Sequence, residues 1–343
     1  MVGVSDQGWP ARSAPTINDV ARVAGVSRGT VSRVLNGAHY VSPAALKAVR
    51  SAMRTTGYVV NQSARSLATR RTNCYAFVLS EPQEHLFEDP NVATLLRSTT
   101  QQLAESDLTV VVMICVTDSD HERVLRYIRA GHVDGVMLVS THANDPLLDA
   151  VASIGIPAVR CGFPAGGVSA VPSVSADDRT GGQLMTRHLM SRGRRHIGLV
   201  TGPLDAPGSV ERRQGWLDAL GSSAEPDLAV AADDYSHLAG RQATQALVER
   251  HPEIDALFAG SDLLASGALV AIRAAGLTVP EDIAVGGFDD SRIATALEPA
   301  LTTVRQPLDR IGHELARLVV RRAAGDPPVS LVLPVELVVR DST

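Results

Sequence analysis

The sequence predicts an α/β protein with a small all-helical head, and three observations carry that reading. Apolar runs of five to seven residues (YAFVLS, TVVVMIC, GVMLVS, IGLVTG, ALFAG, IAVGGF) alternate with amphipathic stretches such as NVATLLRSTTQQLAES and DRTGGQLMTRHLMSRG. Strand-like runs alternating with helical ones predict βαβ units and parallel sheets. Residues 1–71 carry ten Lys+Arg against Asp6 and Asp19, so the chain's formal charge of −5 divides into +8 on this segment and −13 on the rest. A basic head on an acidic body points to a polyanionic partner for the head alone. The length is the third observation. At 343 residues the chain exceeds one core, and a body of about 270 residues predicts two similar lobes.

The elements follow in order. Ile17, Val20, Ala21 and Ala24 stand at i, i+3, i+4 and i+7, one apolar helix face. Thr16 with Asp19 three residues on is a capping-box start. The pentapeptide GVSRG, Gly25–Gly29, has the spacing of a hydrolase nucleophile elbow, but the elbow needs a strand before the serine. A helix precedes it here, so the segment is a tight turn between two helices, with Ser27 as N-cap of the second. That helix runs to about Asn36, with Val31, Val34 and Leu35 on its apolar face and Gly29, Arg33 and Asn36 opposite. SPAALKAVRSAMRTTG reads as a third helix, capped by Ser42, started by Pro43 and stopped by Gly57. Its Ala45, Leu46, Val49 and Met53 supply the third wall of a small core.

Chemistry in the body is sparse. The sequence has no H-E-x-x-H, no phosphate-binding G-x-x-x-x-G-K-[ST], and no G-x-G-x-x-G after a strand. The pairs Asp177-Asp178, Asp233-Asp234 and Asp289-Asp290 read as helix caps or turns. Neither enzyme activity, cofactor nor metal is expected. Cys74, Cys115 and Cys161 are far apart and read as free thiols. No run of 18 apolar residues exists, and MVGVSDQGWPARSAP has no signal-peptide pattern, so the expected location is cytoplasmic.

TINDVARVAGVSRGTVSRVLNG, VSPAALKAVRSAM, TGYVVN and ARSLATRRT resemble the head of the lactose/galactose-repressor (LacI/GalR) family of bacterial transcription regulators. The likeness continues through MSRGRRHIGLVTGP, ERRQGWLDAL, VPEDIAVGGFDDSRIATALEPALTTVRQP and LPVELVVRDST, covering nearly everything from Thr16 to Thr343. It implies a helix-turn-helix head, a hinge and a two-lobed, periplasmic-binding-protein-like body with parallel sheets and a ligand cleft between the lobes. The expected divisions are a tail at 1–14, the head at 15–60, the hinge at 61–72 and the body at 73–343. Within the body, lobe 1 would take about 73–176 and 305–326, and lobe 2 about 177–304 and 327–343.

The implied partners are double-stranded operator DNA, a small sugar or nucleoside effector, and a second copy of the chain. The chain stops at Thr343 with no terminal heptad repeat, so a dimer rather than a tetramer is expected. The implied function is a ligand-responsive repressor binding a palindromic operator. A sugar-binding transport protein shares the body, but would need a secretion signal and no basic head. Base readout would fall to Arg28 and Arg33, with bare backbone at Gly29. Thr16, Ser27, Thr30, Asn36 and Ser42 are the other head positions matched to DNA contact. In the hinge these are Asn61, Ala64 and Leu67, the last as a minor-groove wedge. Val60 stands where relatives commonly have Pro. For the effector, Arg212 matches an arginine aimed at ligand oxygens and Asp289 an acid accepting from ligand donors. Tyr235 and Phe163 would form a wall, and Ser261 and Asn91 would add polar contacts. Gly162 stands where relatives often have Asp, and Ser261 where many have Asn.

Overall fold

The computed structural model describes residues 15–35, 41–59, 71–82, 87–140, 142–143, 145–163 and 171–343. Contacts divide the chain into two units between Thr72 and Asn73. Three of the expected DNA contacts in the hinge (Asn61, Ala64, Leu67), together with Asn36 in the head, lie outside the described residues, as does Val60.

The first unit holds α1 (Ile17–Ala24), α2 (Arg28–Leu35) and α3 (Pro43–Thr56). Thr16 and Asp19 form the capping box, and Gly25 ends α1 in the left-handed region at φ 65°. Ser27 Oγ accepts from Thr30 N at 3.1 Å, and Ser42 Oγ from Ala45 N at 3.2 Å. Val20, Val31 and Val49 are fully buried and pack with Ala21 and Ala52, flanked by Ile17, Ala24, Val34, Leu35 and Met53. Of the expected α3 wall, Ala45 and Leu46 are only half-buried, and Ala52 takes the inner place.

The second unit opens with β1 (Cys74–Leu79), α4 (Pro90–Ala104), β2 (Thr109–Ile114), α5 (Asp118–Arg129), β3 (Gly135–Val139), α6 (Pro146–Ile154), β4 (Ala158–Cys161) and β5 (Ser173–Ala176). It continues with α7 (Asp178–Ser191), β6 (Ile197–Thr201), α8 (Pro207–Leu220), β7 (Ala229–Ala231), α9 (His237–Arg250), β8 (Ala256–Ala259), α10 (Asp262–Ala274) and β9 (Ala284–Asp289). The last elements are α11 (Arg292–Ala296), β10 (Thr302–Arg305), α12 (Leu308–Ala323), β11 (Leu331–Leu333) and β12 (Glu336–Val338).

These strands make two six-stranded sheets, ordered β11-β5-β4-β3-β1-β2 and β12-β10-β9-β8-β6-β7. Every pairing is parallel except β10 with β12. Each order reverses beside its first strand, the kind of switch point where open α/β sheets bind ligands. The chain passes between the lobes at Ala176–Asp178, Arg305–Leu308 and Leu333–Glu336.

The last crossing corrects an expected boundary. Residues 327–343 do not all belong to the second lobe, because β11 pairs with β5 in the first sheet. Ser173 N donates to Ser330 Oγ at 3.0 Å and Asp177 N to Leu333 O at 2.9 Å, holding this strand on the first lobe. Two clusters, one around Phe77 and Met137 and one around Val78 and Leu138, make the core of the first lobe. Trp216, Phe258 and Phe288 are fully buried in the core of the second. Among the described residues no helix is long and apolar enough to cross a membrane.

Candidate functional site

A cavity of about 190 Å³ lies in the body, lined from both lobes by residues at the C-terminal ends of strands and at two of the crossings. From the second lobe come Arg212, Tyr235, Ser261 and Asp289; from the first come Asn91, Arg160, Gly162 and Ser175; Asp178 and Gln306 sit on crossings. One wall, of Val92, Leu95, Leu308 and Ile311, is apolar.

Arg212 is placed by close packing of α7 and α8. A Cβ at Gly182 would lie 2.4 Å from Arg212 O, and one at Gly215 would lie 2.1 Å from Arg179 O, so the helices approach at a distance only glycine permits. The residue is 8% exposed. Its Nε donates to Asp178 Oδ1 at 2.8 Å and its Nη1 to Gly260 O at 2.5 Å. Its Cζ lies 3.8 Å from the Phe288 ring centroid, a cation–π contact. Nη2 makes no hydrogen bond among the described residues. Burial works against the charge, but Asp178, with Tyr235 and Asp289 nearby, raises the Arg212 pKa above its ordinary value. Burial raises the Asp178 carboxyl pKa above its ordinary value, with the Arg212 charge and hydrogen bond opposing. The counter-ion of Arg212 is therefore Asp178, half of a pair read from sequence as caps and turns. Its neighbour Asp177 does cap α7.

Asp289 ends β9 with φ at 118°, a conformation that L residues adopt only at a cost of order 1–3 kcal/mol. It accepts from Gln306 Nε2 at 2.6 Å and from the Asn91 side chain. Burial raises its pKa, with Arg212 and these amides opposing. Asn91, in the first turn of α4, has its Oδ1 buried without a partner. Tyr235 places its hydroxyl 2.5 Å from Ser209 Oγ. Ser261 caps α10 through Leu264 N at 3.1 Å, so its hydroxyl is committed to the helix although it lines the cavity.

Phe163 differs from expectation. It is not a cavity wall: the chain turns at Gly162, φ 95°, and the Phe163 carbonyl accepts from Arg160 Nη2 at 2.6 Å. Sequence reasoning missed Arg160, an arginine inside the short buried strand β4. It also missed Gln306 and the rim bridge, whose partners lie on three separate loops. There His142, after β3, has Nδ1 3.0 Å from Asp205 Oδ2 on the opposite lobe and Nε2 3.4 Å from Glu81 Oε1. The Glu81 hydrogen bond first, then Asp205, raise its pKa to about 9 against the opposing effect of burial.

In the head, Arg28, Gly29 and Arg33 are exposed along one side of α2, and Arg33 Nε donates to Gly29 O at 3.3 Å. Thr16, Ser27 and Ser42 cap the three helices, and Thr30 Oγ1 lies 3.0 Å from Ser27 Oγ. Four hydroxyl-bearing residues and Arg28 thus stand at the N-termini of the helices, where backbone N–H groups favour anions such as phosphate, while Arg33 sits in the last turn of α2.

Residues 16–61 match the family described as bacterial regulatory proteins, lacI family, and residues 186–343 match the periplasmic binding protein-like domain. The HTH-type transcriptional regulator CelR of Thermobifida fusca is 42% identical over 96% of this chain and 99% of its own length. The ribose operon repressor of Halalkalibacterium halodurans is 32% identical over 96% of this chain and 97% of its own. Among solved structures, the CelR–cellobiose complex superposes with a TM-score of 0.77 at 40% identity, covering 96% of this chain and 100% of that one. The lac repressor dimer bound to operator and the anti-inducer ONPF gives 0.83 at 27% identity, covering 96% and 98%.

Proposed function

The chain belongs to the lacI family of bacterial regulatory proteins, DNA-binding transcription regulators and not enzymes, and we propose that it represses transcription as a homodimer on a palindromic operator, under control of a small neutral sugar. The observation that carries this reading is the cavity, lined from both lobes and edged by polar atoms without partners. A molecule filling it is held by both lobes at once, so occupancy changes the angle between them.

A sugar suits the lining. Hydroxyls both donate and accept, as a site with Arg212 Nη2 on one side and Asp289 and Asn91 Oδ1 on the other requires. The lining carboxylates Glu81, Glu88, Asp89, Asp178 and Asp289 outnumber the cations Arg160, Arg212 and His142, which works against an anion. The apolar wall suits the C–H face of a sugar ring. The two relatives above, a regulator solved with cellobiose and a ribose operon repressor, support the same class.

Control is a population shift. The effector binds one lobe angle more tightly than the other, and the lobe angle sets the spacing of the two heads. On DNA, α2 lies in the major groove with Arg28 and Arg33 toward the bases, while the hinge around Asn61, Ala64 and Leu67 meets the minor groove. Calorimetric titration of the full chain with cellobiose, ribose and glucose tests the ligand class. Saturable binding at one site per chain is expected for at least one of them. No heat of binding from any neutral mono- or disaccharide would sink the proposal.

A further inference from the structure

Among the described residues, four side chains that line the cavity carry a buried polar atom with no hydrogen-bond partner: Asn91 Oδ1, His142 Nδ1, Arg160 Nε and Ser175 Oγ. His142 Nδ1 lies in the rim ion pair with Asp205. Asn91 belongs with Asp289. The other two form a separate group. Arg160 pairs in register with Leu138 on one side and Ser173 on the other, and Ser175 follows Ser173 by two residues. Register partners and i+2 neighbours share a sheet face, so Arg160 and Ser175 project to the same side.

Arg160 is 2% exposed and Ser175 is 1% exposed. Among the described residues the guanidinium makes one hydrogen bond, from Nη2 to the Phe163 carbonyl, and no carboxylate lies within ion-pair distance. Its electrostatic neighbours are Cys161 and Asp145, whereas Arg212 answers to Asp178, Tyr235 and Asp289. Asp145 is already engaged by Ser80 Oγ and Leu147 N at 2.8 Å each. Burial draws the Arg160 pKa down from its ordinary value. Beside this group, a Cβ built on Gly162 would meet nothing within 4 Å. A buried cation without a counter-ion is costly, and an empty space beside it gives no packing in return. Such a feature persists where a ligand completes it.

We propose that Arg160, Ser175 and the space at Gly162 form a second effector subsite, in the first lobe, which takes adjacent hydroxyls of a second sugar ring and so selects two-ring over one-ring sugars. This rests on the sugar reading above. The fork of Nε and Nη donors matches two neighbouring oxygens, and the Ser175 hydroxyl accepts or donates beside them. The acid-rich lining makes hydroxyls rather than a carboxylate the group it takes.

The test is calorimetric titration of the full chain and its Arg160→Met, Arg160→Lys and Ser175→Ala variants with cellobiose, glucose and cellobionate, with thermal unfolding of each ligand-free protein. The parent should bind cellobiose at least tenfold more tightly than glucose. Arg160→Met should lose at least tenfold for cellobiose, about 1.4 kcal/mol, with glucose affinity changed less than twofold. Arg160→Lys should recover little of this, because lysine keeps the charge but not the fork. Ser175→Ala should lose several-fold. The ligand-free Arg160→Met protein should melt at the same or a higher temperature, since an uncompensated buried charge is gone.

Parent-like cellobiose binding by Arg160→Met overturns the subsite. So does equal weakening of both sugars with a lowered melting temperature, which marks a structural residue. Cellobionate binding the parent more tightly than cellobiose overturns the hydroxyl assignment in favour of an anion. Failure of the parent to bind any of the sugars overturns the sugar reading itself, and the subsite with it.

Discussion

Replacing Arg212 with alanine leaves the Asp178 carboxylate, 6% exposed, without its counter-ion, and the cost of that can be worked from the structure. Removing one partner of a buried, hydrogen-bonded ion pair costs about 3–5 kcal/mol, because the survivor stays charged and dry. The contacts to Gly260 O and the Phe288 ring are lost as well, so the upper part of that range applies to Arg212→Ala. Asp178→Ala should cost a similar amount. If the two act as one unit, Arg212→Met combined with Asp178→Leu should lose no more than about 5 kcal/mol, not the roughly 6–10 that independent sites would give. Urea unfolding followed by Trp216 fluorescence is the assay. Trp216 is fully buried one helical turn after Arg212 and donates from its indole nitrogen to Ile197 O at 3.2 Å. A Trp9→Phe background removes the chain's other tryptophan. A double variant whose loss equals the sum of the two singles would refute the pairing.

Three further outcomes are expected. The folded pKa of His142 is raised to about 9, so its bridge contributes fully below the unfolded value near 6.5 and is lost as pH rises through about 9. The unfolding midpoint should therefore fall across that window in the parent and not in His142→Gln; equal slopes in the two proteins count against the bridge. Operator affinity should fall linearly in log[salt] with a slope of about −0.9 per phosphate neutralised, and a specific dimeric complex with no slope would contradict a phosphate role for the basic head. Gly29→Gln is sterically open, the nearest atom to a built Cβ being Ser27 Oγ at 3.7 Å, and helix propensity favours the change by up to about 1 kcal/mol. Operators selected from a random pool should then change at one symmetric pair of positions, and unchanged operators would mean that Gly29 does not face the bases.

Local signals made the head legible in the sequence. Thr16–Asp19, Ser42–Pro43 and the glycines at 25 and 57 set helix ends through side-chain and backbone rules acting over a few residues, and the structure builds each as read. The strands of the body were equally plain, because a strand buried on both faces is a continuous apolar run. What the sequence did not disclose depends on contacts far along the chain. Asp178 meets Arg212 across 34 residues, and β11 returns to the first lobe after α12. Arg160 passed unnoticed since nothing local distinguishes an arginine that enters a cavity from one that snorkels to the surface. The match to relatives puts Phe163 in the cavity, but it is absent from the lining and its carbonyl accepts from Arg160 after the left-handed turn at Gly162.

Fluorescence anisotropy on a labelled palindromic operator tests directly whether cavity occupancy controls DNA binding. The operator affinity of the full chain is measured without sugar and with cellobiose at a concentration shown by calorimetry to saturate the body. A shift of at least tenfold is expected, matching a coupling of about 1.4 kcal/mol or more between cavity and head. Identical operator affinity with the cavity saturated would contradict it.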